Sequence, residues 1–270
     1  MTAAGERARP GPQDAPIHAR FHLVRFAEID STNTEAKRLA AERAPEFTVV
    51  LAGAQRAGHG RRGRAWASPK GNLYSSVILR PACPPIVGAQ VSFLAALAVS
   101  DTARRLVGSS TTIACKWPND VLLNGRKVSG ILLESATTGG LLDWLVLGVG
   151  VNVAHHPGVG GAYPSTSLHD EGANSADVEQ VAALYLDALA GWYDRWRVEG
   201  FAPVRAAWLA RALGLGAPVT VKLERETPEG RFVDLDAGGA LVLELASGAR
   251  RAIAAGDVFF AAGEGHAAGD

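Results

Sequence analysis

Asn124-Gly125 separates the apolar run Val121-Leu122-Leu123 from a second strand that begins at Arg126, and this dipeptide commits Lys116 to Gly130 to a tight β-hairpin. A type I′ turn requires positive φ at both central residues, and Asn and Gly tolerate it best. With a two-residue loop, Leu123 faces Arg126, Leu122 faces Lys127, Val121 faces Val128 and Asp120 faces Ser129. Side chains alternate across a strand, so Asp120 and Lys127 share a face as diagonal neighbours. Taken alone, such a pair is an exposed cross-strand contact of about 0–1 kcal/mol. Here it has company: Lys116, Asn119, Asp120 and Lys127 crowd one turn, as the groups of a reaction centre do.

A second segment strengthens that reading. Residues 55–64, Gln55-Arg56-Ala57-Gly58-His59-Gly60-Arg61-Arg62-Gly63-Arg64, hold four arginines and three glycines. Glycines let a backbone approach closely and expose its N–H groups, while guanidinium forks bind phosphate or carboxylate oxygens in bidentate fashion. Gly58-x-Gly60-x-x-Gly63 also satisfies the dinucleotide-binding expression. That motif needs a helix opening at the loop, and Trp66-Ala67-Ser68-Pro69-Lys70-Gly71 follows instead, so the Rossmann reading fails. No Walker A pattern occurs. A solvated loop or a nucleic-acid contact remains the plain alternative for this segment.

Elsewhere the pattern is mixed α and β. Strands are expected near 21–26, 49–55, 72–79 and 144–153. Thr32 with Glu35 fits a capping box opening a helix through about Glu42. Val91, Leu94, Ala95, Ala98 and Thr102 recur at helical spacing over 91–107, and Val181, Tyr185, Leu189, Trp192 and Trp196 do so over 178–196. Residues 203–213 give a further helix with Pro203 near its first turn. Gly148 and Gly150 weaken the 144–153 strand unless a bulge or a bound ring explains them. His155-His156 has no carboxylate at ligand spacing, which argues against a metal.

At Gly214-Leu215-Gly216-Ala217-Pro218 helical spacing gives way to alternation, with turns expected at Glu229-Gly230 and Gly238-Gly239. The expected organisation is a disordered segment over 1–18, a catalytic domain over 19–213, a small β-barrel over 214–263 and a mobile tail over 264–270. Two cysteines without paired spacing, Cys83 and Cys115, and the lack of an apolar targeting stretch point to a cytoplasmic protein. No segment is expected to span a membrane. The formal charge is zero, so no global field draws DNA or an anionic membrane.

Four ordered blocks resemble the biotin–protein ligases: Asp30-Ser31-Thr32-Asn33, Gln55 with the Gly58 to Arg64 loop, the Lys116 to Gly130 hairpin, and Gly148-Val149-Gly150-Val151-Asn152. The resemblance implies an α+β fold, a class II aminoacyl-tRNA synthetase/biotin synthetase-like catalytic domain with a mixed sheet flanked by helices and a C-terminal SH3-like β-barrel. It implies a two-step reaction: biotin and MgATP give biotinyl-5′-AMP, and a lysine of a carboxylase biotin carrier domain then takes the biotin.

Lys127 is the expected bridge between biotin carboxylate and α-phosphate, with Arg61 contacting biotin and the adenylate phosphate. Ser31, Thr32 and Gln55 are expected on the ureido ring, with Asn33, Gly58, His59, Gly60 and Gly130 completing the biotin site. Arg62, Arg64, Trp66, Lys116, Asn119, Asp120 and Asn152 are assigned to ATP and the adenylate, and Asp120 is a candidate to hold Mg²⁺ through water.

In the resemblance, the loop usually carries arginine where this chain has His59, exchanging a permanently charged fork for an imidazole. The hypothesis is weaker or pH-sensitive adenylate retention; unchanged ATP affinity and adenylate release in an H59R variant would contradict it. The 30 residues before Ser31 are too few for the helix-turn-helix domain of the repressor members, so no operator binding is expected. The expected state is a monomer or an adenylate-linked homodimer. Two rivals remain: a lipoate or octanoate ligase of the same superfamily, and a non-catalytic biotin or nucleotide-binding module.

Overall fold

The computed structural model describes residues 19–157 and 164–260, and the segments expected to be disordered or mobile at the two ends, 1–18 and 264–270, lie outside them. Strand β1 (His22–Phe26) runs parallel to β2 (Thr48–Ala52), and helix α1 (Thr32–Ala41) connects them. β3 (Leu73–Leu79), β4 (Ile113–Lys116), β5 (Asp120–Leu123), β6 (Arg126–Thr138) and β7 (Leu141–Val151) complete a seven-stranded sheet in the order β1-β2-β3-β7-β6-β5-β4, all antiparallel beyond β2. This is the expected mixed sheet.

Alternation splits the sheet into two faces. Leu145, Leu147, Val149 and Val151 of β7, with Val77 and Leu79 of β3, join the main core. That core is roofed by α3 (Val91–Leu106), which follows the short α2 (Pro85–Gly88), and by α4 (Val178–Glu199) and α5 (Phe201–Leu209). By length and composition alone Pro85–Leu106 is long and apolar enough to cross a membrane, contrary to expectation. Its window is 78% buried inside the fold, as befits a core helix under α4. The opposite face carries α1 on Val50, Ala52, Ile78 and Val146, a smaller cluster. Beside α1 that face lines a cavity, with Gly148 and Gly150 at its β7 positions.

Two local expectations are corrected. Asn124 and Gly125 do hold φ of +48° and +73°, and Leu123 and Leu122 do face Arg126 and Lys127. Beyond them a β-bulge intervenes, so Val121 pairs with Ser129 and Asp120 with Gly130. Val128 and Ser129 are both fully buried opposite one residue, and core packing accommodates the extra residue. The bulge shifts parity: it places Lys127 and Gly130, an odd number of residues apart, on the same face. The α1 cap also differs, since Ser31 rather than Thr32 is the N-cap and accepts from Thr34 N. Thr32 is thereby released to face the cavity.

After α5, β8 (Pro218–Lys222), β9 (Glu229–Leu235), β10 (Leu241–Glu244), β11 (Arg250–Ile253) and β12 (Asp257–Phe260) form an antiparallel sheet in the order β11-β10-β9-β8-β12. It encloses Val219, Val221, Phe232, Leu235, Leu241, Leu243, Ile253 and Val258, all buried. The turn at Gly238-Gly239 forms, with Gly239 at φ +89°. Glu229-Gly230 instead begins β9, where a Cβ on Gly230 would lie 2.4 Å from Glu244 O, so glycine serves close strand approach there. Trp117 Nε1 donates to Gly239 O at 3.1 Å and ties this sheet to the hairpin.

Candidate active site

The open face of the large sheet, the arginine loop and the start of β12 enclose a cavity of about 660 Å³. Its floor is the pair of glycines on β7. A Cβ on Gly148 would meet Asn33 Oδ1 at 2.1 Å, and one on Gly150 would meet Trp66 Nε1 at 2.6 Å. Neither position carries a bulge in the ladders with β3 and β6. Close approach of side chains, not a ladder irregularity, therefore accounts for both glycines. Trp66 also abuts Gly130, whose Cβ would lie 2.9 Å from its ring. Its buried Nε1 has no hydrogen-bond partner, which leaves a donor available inside an apolar wall.

One end of the cavity is polar and tightly networked. Gln55 Oε1 accepts from Thr32 N at 2.8 Å and Thr32 Oγ1 at 3.1 Å, and Gln55 Nε2 reaches Ser68 Oγ at 3.0 Å. Ser76 Oγ lies 2.8 Å from Thr32 Oγ1 and donates to Asn33 Oδ1 at 2.6 Å. Asn33 Nδ2 donates to Glu134 Oε2 at 2.9 Å. Glu134 also binds Lys37 and sits 3.6 Å from His59 Nε2. Burial pushes the Glu134 carboxyl up, but hydrogen bonds from Lys37 and Asn33 outweigh it and hold the group below its ordinary value.

The other end is cationic. Lys127 Nζ is 2.7 Å from Asp120 Oδ1 and 5.4 Å from the Trp66 ring centroid, a cation–π distance. Lys116, opposite Asp120 in the β4–β5 ladder, is 7% exposed, and burial pushes its ammonium down to about 8. Arg61 NH1 donates to Asn119 Oδ1 at 3.1 Å, and desolvation lowers its guanidinium. Asn119 Nδ2 donates to Ile131 O at 2.6 Å, and Asn152 Nδ2 to Thr166 O at 2.9 Å, so both amides are fixed in orientation. Arg61, Arg62, Arg64, Lys116, Lys127 and Lys222 line the cavity against two carboxylates, Asp120 and Asp257, a surplus of four positive charges.

Of the residues singled out in the sequence, Ser31, Thr32, Asn33, Gln55, His59, Gly60, Arg61, Arg62, Arg64, Trp66, Lys116, Asn119, Asp120, Lys127, Gly130 and Asn152 all line this one cavity. Gly58 sits behind it, where a Cβ would meet Ser68 Oγ at 2.5 Å. No helix follows the loop, which itself contains a 3₁₀ turn over Arg61–Gly63. His156 finds a carboxylate after all, Asp170 Oδ2 at 3.0 Å, which sequence spacing did not reveal. Among the described residues no three His, Cys, Asp or Glu side chains group as a metal site.

Glu134, Lys222 and Asp257 escaped the sequence reading. Glu134 had a signal, since it lies on the β6 face of Gly130 and Leu132. Asp257 and Lys222 had none, because they reach the cavity only through the packing of the small sheet.

The sequence pattern of the Biotin/lipoate A/B protein ligase family matches residues 26–152, and that of the biotin protein ligase C-terminal domain matches 214–261. The biotin–[acetyl-CoA-carboxylase] ligase of Paracoccus denitrificans is 43% identical over 239 residues, 87% of this chain and 99% of that one. The chain belongs to the biotin protein ligase family. Among solved structures, the biotin protein ligase of Aquifex aeolicus in complex with biotin and ATP superposes with a TM-score of 0.73 at 26% identity, covering 88% of this chain and 97% of that one. The Leishmania major ligase in complex with biotinyl-5-AMP gives 0.61 at 25% identity, covering 88% and 100%.

Proposed function

We propose that this chain is an ATP-dependent biotin–[biotin carboxyl carrier protein] ligase, which adenylates biotin and transfers it to a carrier-domain lysine. The observation that carries the reading is the cavity itself. A Trp66-walled, polar-ended slot meets a cationic end at Lys127, and the surplus of four positive charges suits a nucleoside triphosphate beside a carboxylate.

In the first step a biotin carboxylate oxygen attacks the α-phosphorus, the bond to the β-phosphate breaks and pyrophosphate leaves. Two anions must meet, so the catalysis asked of the protein is charge stabilisation and positioning. Lys127 is the bridge between carboxylate and α-phosphate, and Asp120 holds its ammonium in place until the substrates supply better partners. Lys116 and Arg61 add fixed positive charge at the phosphates. Thr32, Asn33 and Gln55, preorganised by Ser76, Ser68 and Glu134, meet the ureido edge, which has to be paired once it leaves water.

Mg²⁺ enters as part of the nucleotide substrate. Asp120 and Asp257 are the carboxylates that line the cavity, and Asp120 would be the residue to help hold the ion, which would offset charge on the phosphates. In the second step the neutral amine of the carrier lysine attacks the acyl carbon, AMP leaves, and the amine proton passes to solvent. The protein partner is the biotin carrier domain of an acyl-CoA carboxylase. The reading includes no nucleic-acid or membrane partner, a cytoplasmic location, and a monomer or a homodimer linked to adenylate binding.

Biotin-dependent ATP–pyrophosphate exchange, run in parallel with lipoate and octanoate, tests it. Exchange with biotin alone is expected. Exchange with lipoate or octanoate instead would move the chain to the sister activity, and none with any acid would leave a binding module.

A further inference from the structure

The small sheet reaches into the cavity at the start of one strand. Asp257 opens β12 and faces Lys222 of β8 in the ladder. Its carboxylate accepts from Arg62 NH1 at 3.0 Å and from Arg64 NH2, partners nearly two hundred residues earlier in the chain. Arg61 NH2 donates to the adjoining Gly256 O at 3.3 Å. Arg61, Arg62 and Arg64 thus all close on one two-residue step. Arg62 accepts a left-handed φ of +54° to do so, a conformation a non-glycine residue holds only when its surroundings compensate. Burial pushes the Asp257 carboxyl up, but Arg64 foremost, then Arg62 and Arg61, hold it below its ordinary value.

Besides the Arg61–Asn119 bond at 3.1 Å and the 3.6 Å approach of His59 to Glu134, the loop's tip is held by its own backbone, with Gly60 N donating to Arg64 O at 2.7 Å, Arg64 N to Arg61 O at 3.3 Å and Trp66 N to Gly58 O at 2.9 Å across the short bridge between His59 and Ala65. We infer that Asp257 is a positioning residue whose carboxylate latches the arginine loop over the cavity, so that the small sheet sets the loop before any anion arrives. The identity of those anions rests on the function proposed above; the latch itself does not. A preset loop spares the substrates the ordering cost they would otherwise bear on binding. Loss of the carboxylate is therefore expected in KM for ATP and in adenylate release more than in kcat.

The test begins without substrates. Trypsin cutting at residues 61–64 of the ligand-free full chain is expected to be slow in the wild type, severalfold faster in Asp257→Asn, and restored by Asp257→Glu. An Arg62→Gln/Arg64→Gln variant, which keeps Arg61 as a cleavage site, removes the latch from the other side and covers the case in which Asp257→Asn does not fold; it too is expected to be cut faster. Equal cutting of the wild type and the folded variants would overturn the latch.

Pyrophosphate exchange is the second readout. Asp257→Asn should raise KM for ATP severalfold, with no further rise when it is added to the double arginine variant. An unchanged or lowered KM, or an additive effect, would overturn the inference. Absence of wild-type exchange would instead count against the proposed reaction, and proteolysis would still judge the latch.

Discussion

The Trp66 indole fills the space that a side chain at Gly150 would occupy: a Cβ there would lie 2.6 Å from Nε1 and 2.7 Å from Cε2. The contact is with a rigid ring wedged against Gly130 as well, so neither partner can yield at a side-chain tip. Gly150→Ala is expected to displace the ring at an overpacking cost of about 1–3 kcal/mol. Biotin affinity should fall about tenfold or more, a 1.4 kcal/mol effect per decade, while the fold persists. Isothermal titration with biotin checks this; wild-type affinity in the variant would remove Trp66 from the biotin wall.

Lys116 supplies a pH dependence. Its folded pKa is depressed from 10.5 to about 8, chiefly by burial. Below about pH 8 both folded and unfolded forms carry the proton, and the folded state bears the cost of a buried charge. Between about 8 and the ordinary lysine value the unfolded chain binds more protons, so this residue's contribution to stability improves as pH rises. The catalytic consequence runs the other way. As the free enzyme loses this charge above pH 8, kcat/KM for ATP is expected to fall, and Lys116→Arg should flatten that limb. The pH profiles of the two proteins decide it; identical limbs would exclude Lys116 as the titrating cation.

Glu171 pins the hairpin tip. Its side chain, 3% exposed, accepts from Arg126 NH2 and Thr166 Oγ1 at 2.7 Å through Oε1 and from Asn124 Nδ2 at 2.7 Å through Oε2. Glu171→Ala strands the fully buried Thr166 hydroxyl and frees the turn, at an expected cost of about 1–3 kcal/mol. Glu171→Gln should recover part of it, since an amide oxygen still accepts. Urea unfolding midpoints check the order wild type, Gln, Ala.

How much of this was legible in the sequence depends on the distance over which each feature is decided. The hairpin turn follows from two adjacent residues, and Asn124 and Gly125 hold the φ values that the dipeptide demands. The bulge does not, because it is settled by whether Val128 and Ser129 both pack inward, a question for α3 and the core beneath it. The two β7 glycines announced a close approach but not its partners. Only the fold supplies Asn33 from α1 and Trp66 from the loop. The capping box failed by one residue because Ser31 and Thr32 are chemically equivalent caps, and the choice falls to Gln55, which takes Thr32 Oγ1 and N. Asp257 was invisible for a simpler reason: nothing local distinguishes it from other strand-edge carboxylates, and its arginine partners lie at the far end of the chain.

The central claim is that Lys127, held by Asp120 at 2.7 Å and set beside Trp66, bridges the two anions that react. The most direct test is single-turnover formation of biotinyl adenylate by wild type and Lys127→Ala, with biotin affinity measured alongside. A loss of about 10²–10³-fold in the activation rate, with biotin binding largely kept, is the predicted result for removing a preorganised cation from a developing negative charge. Adenylate formation at the wild-type rate in the variant would contradict the account, and the bridging charge would have to come from Lys116 or the arginine loop.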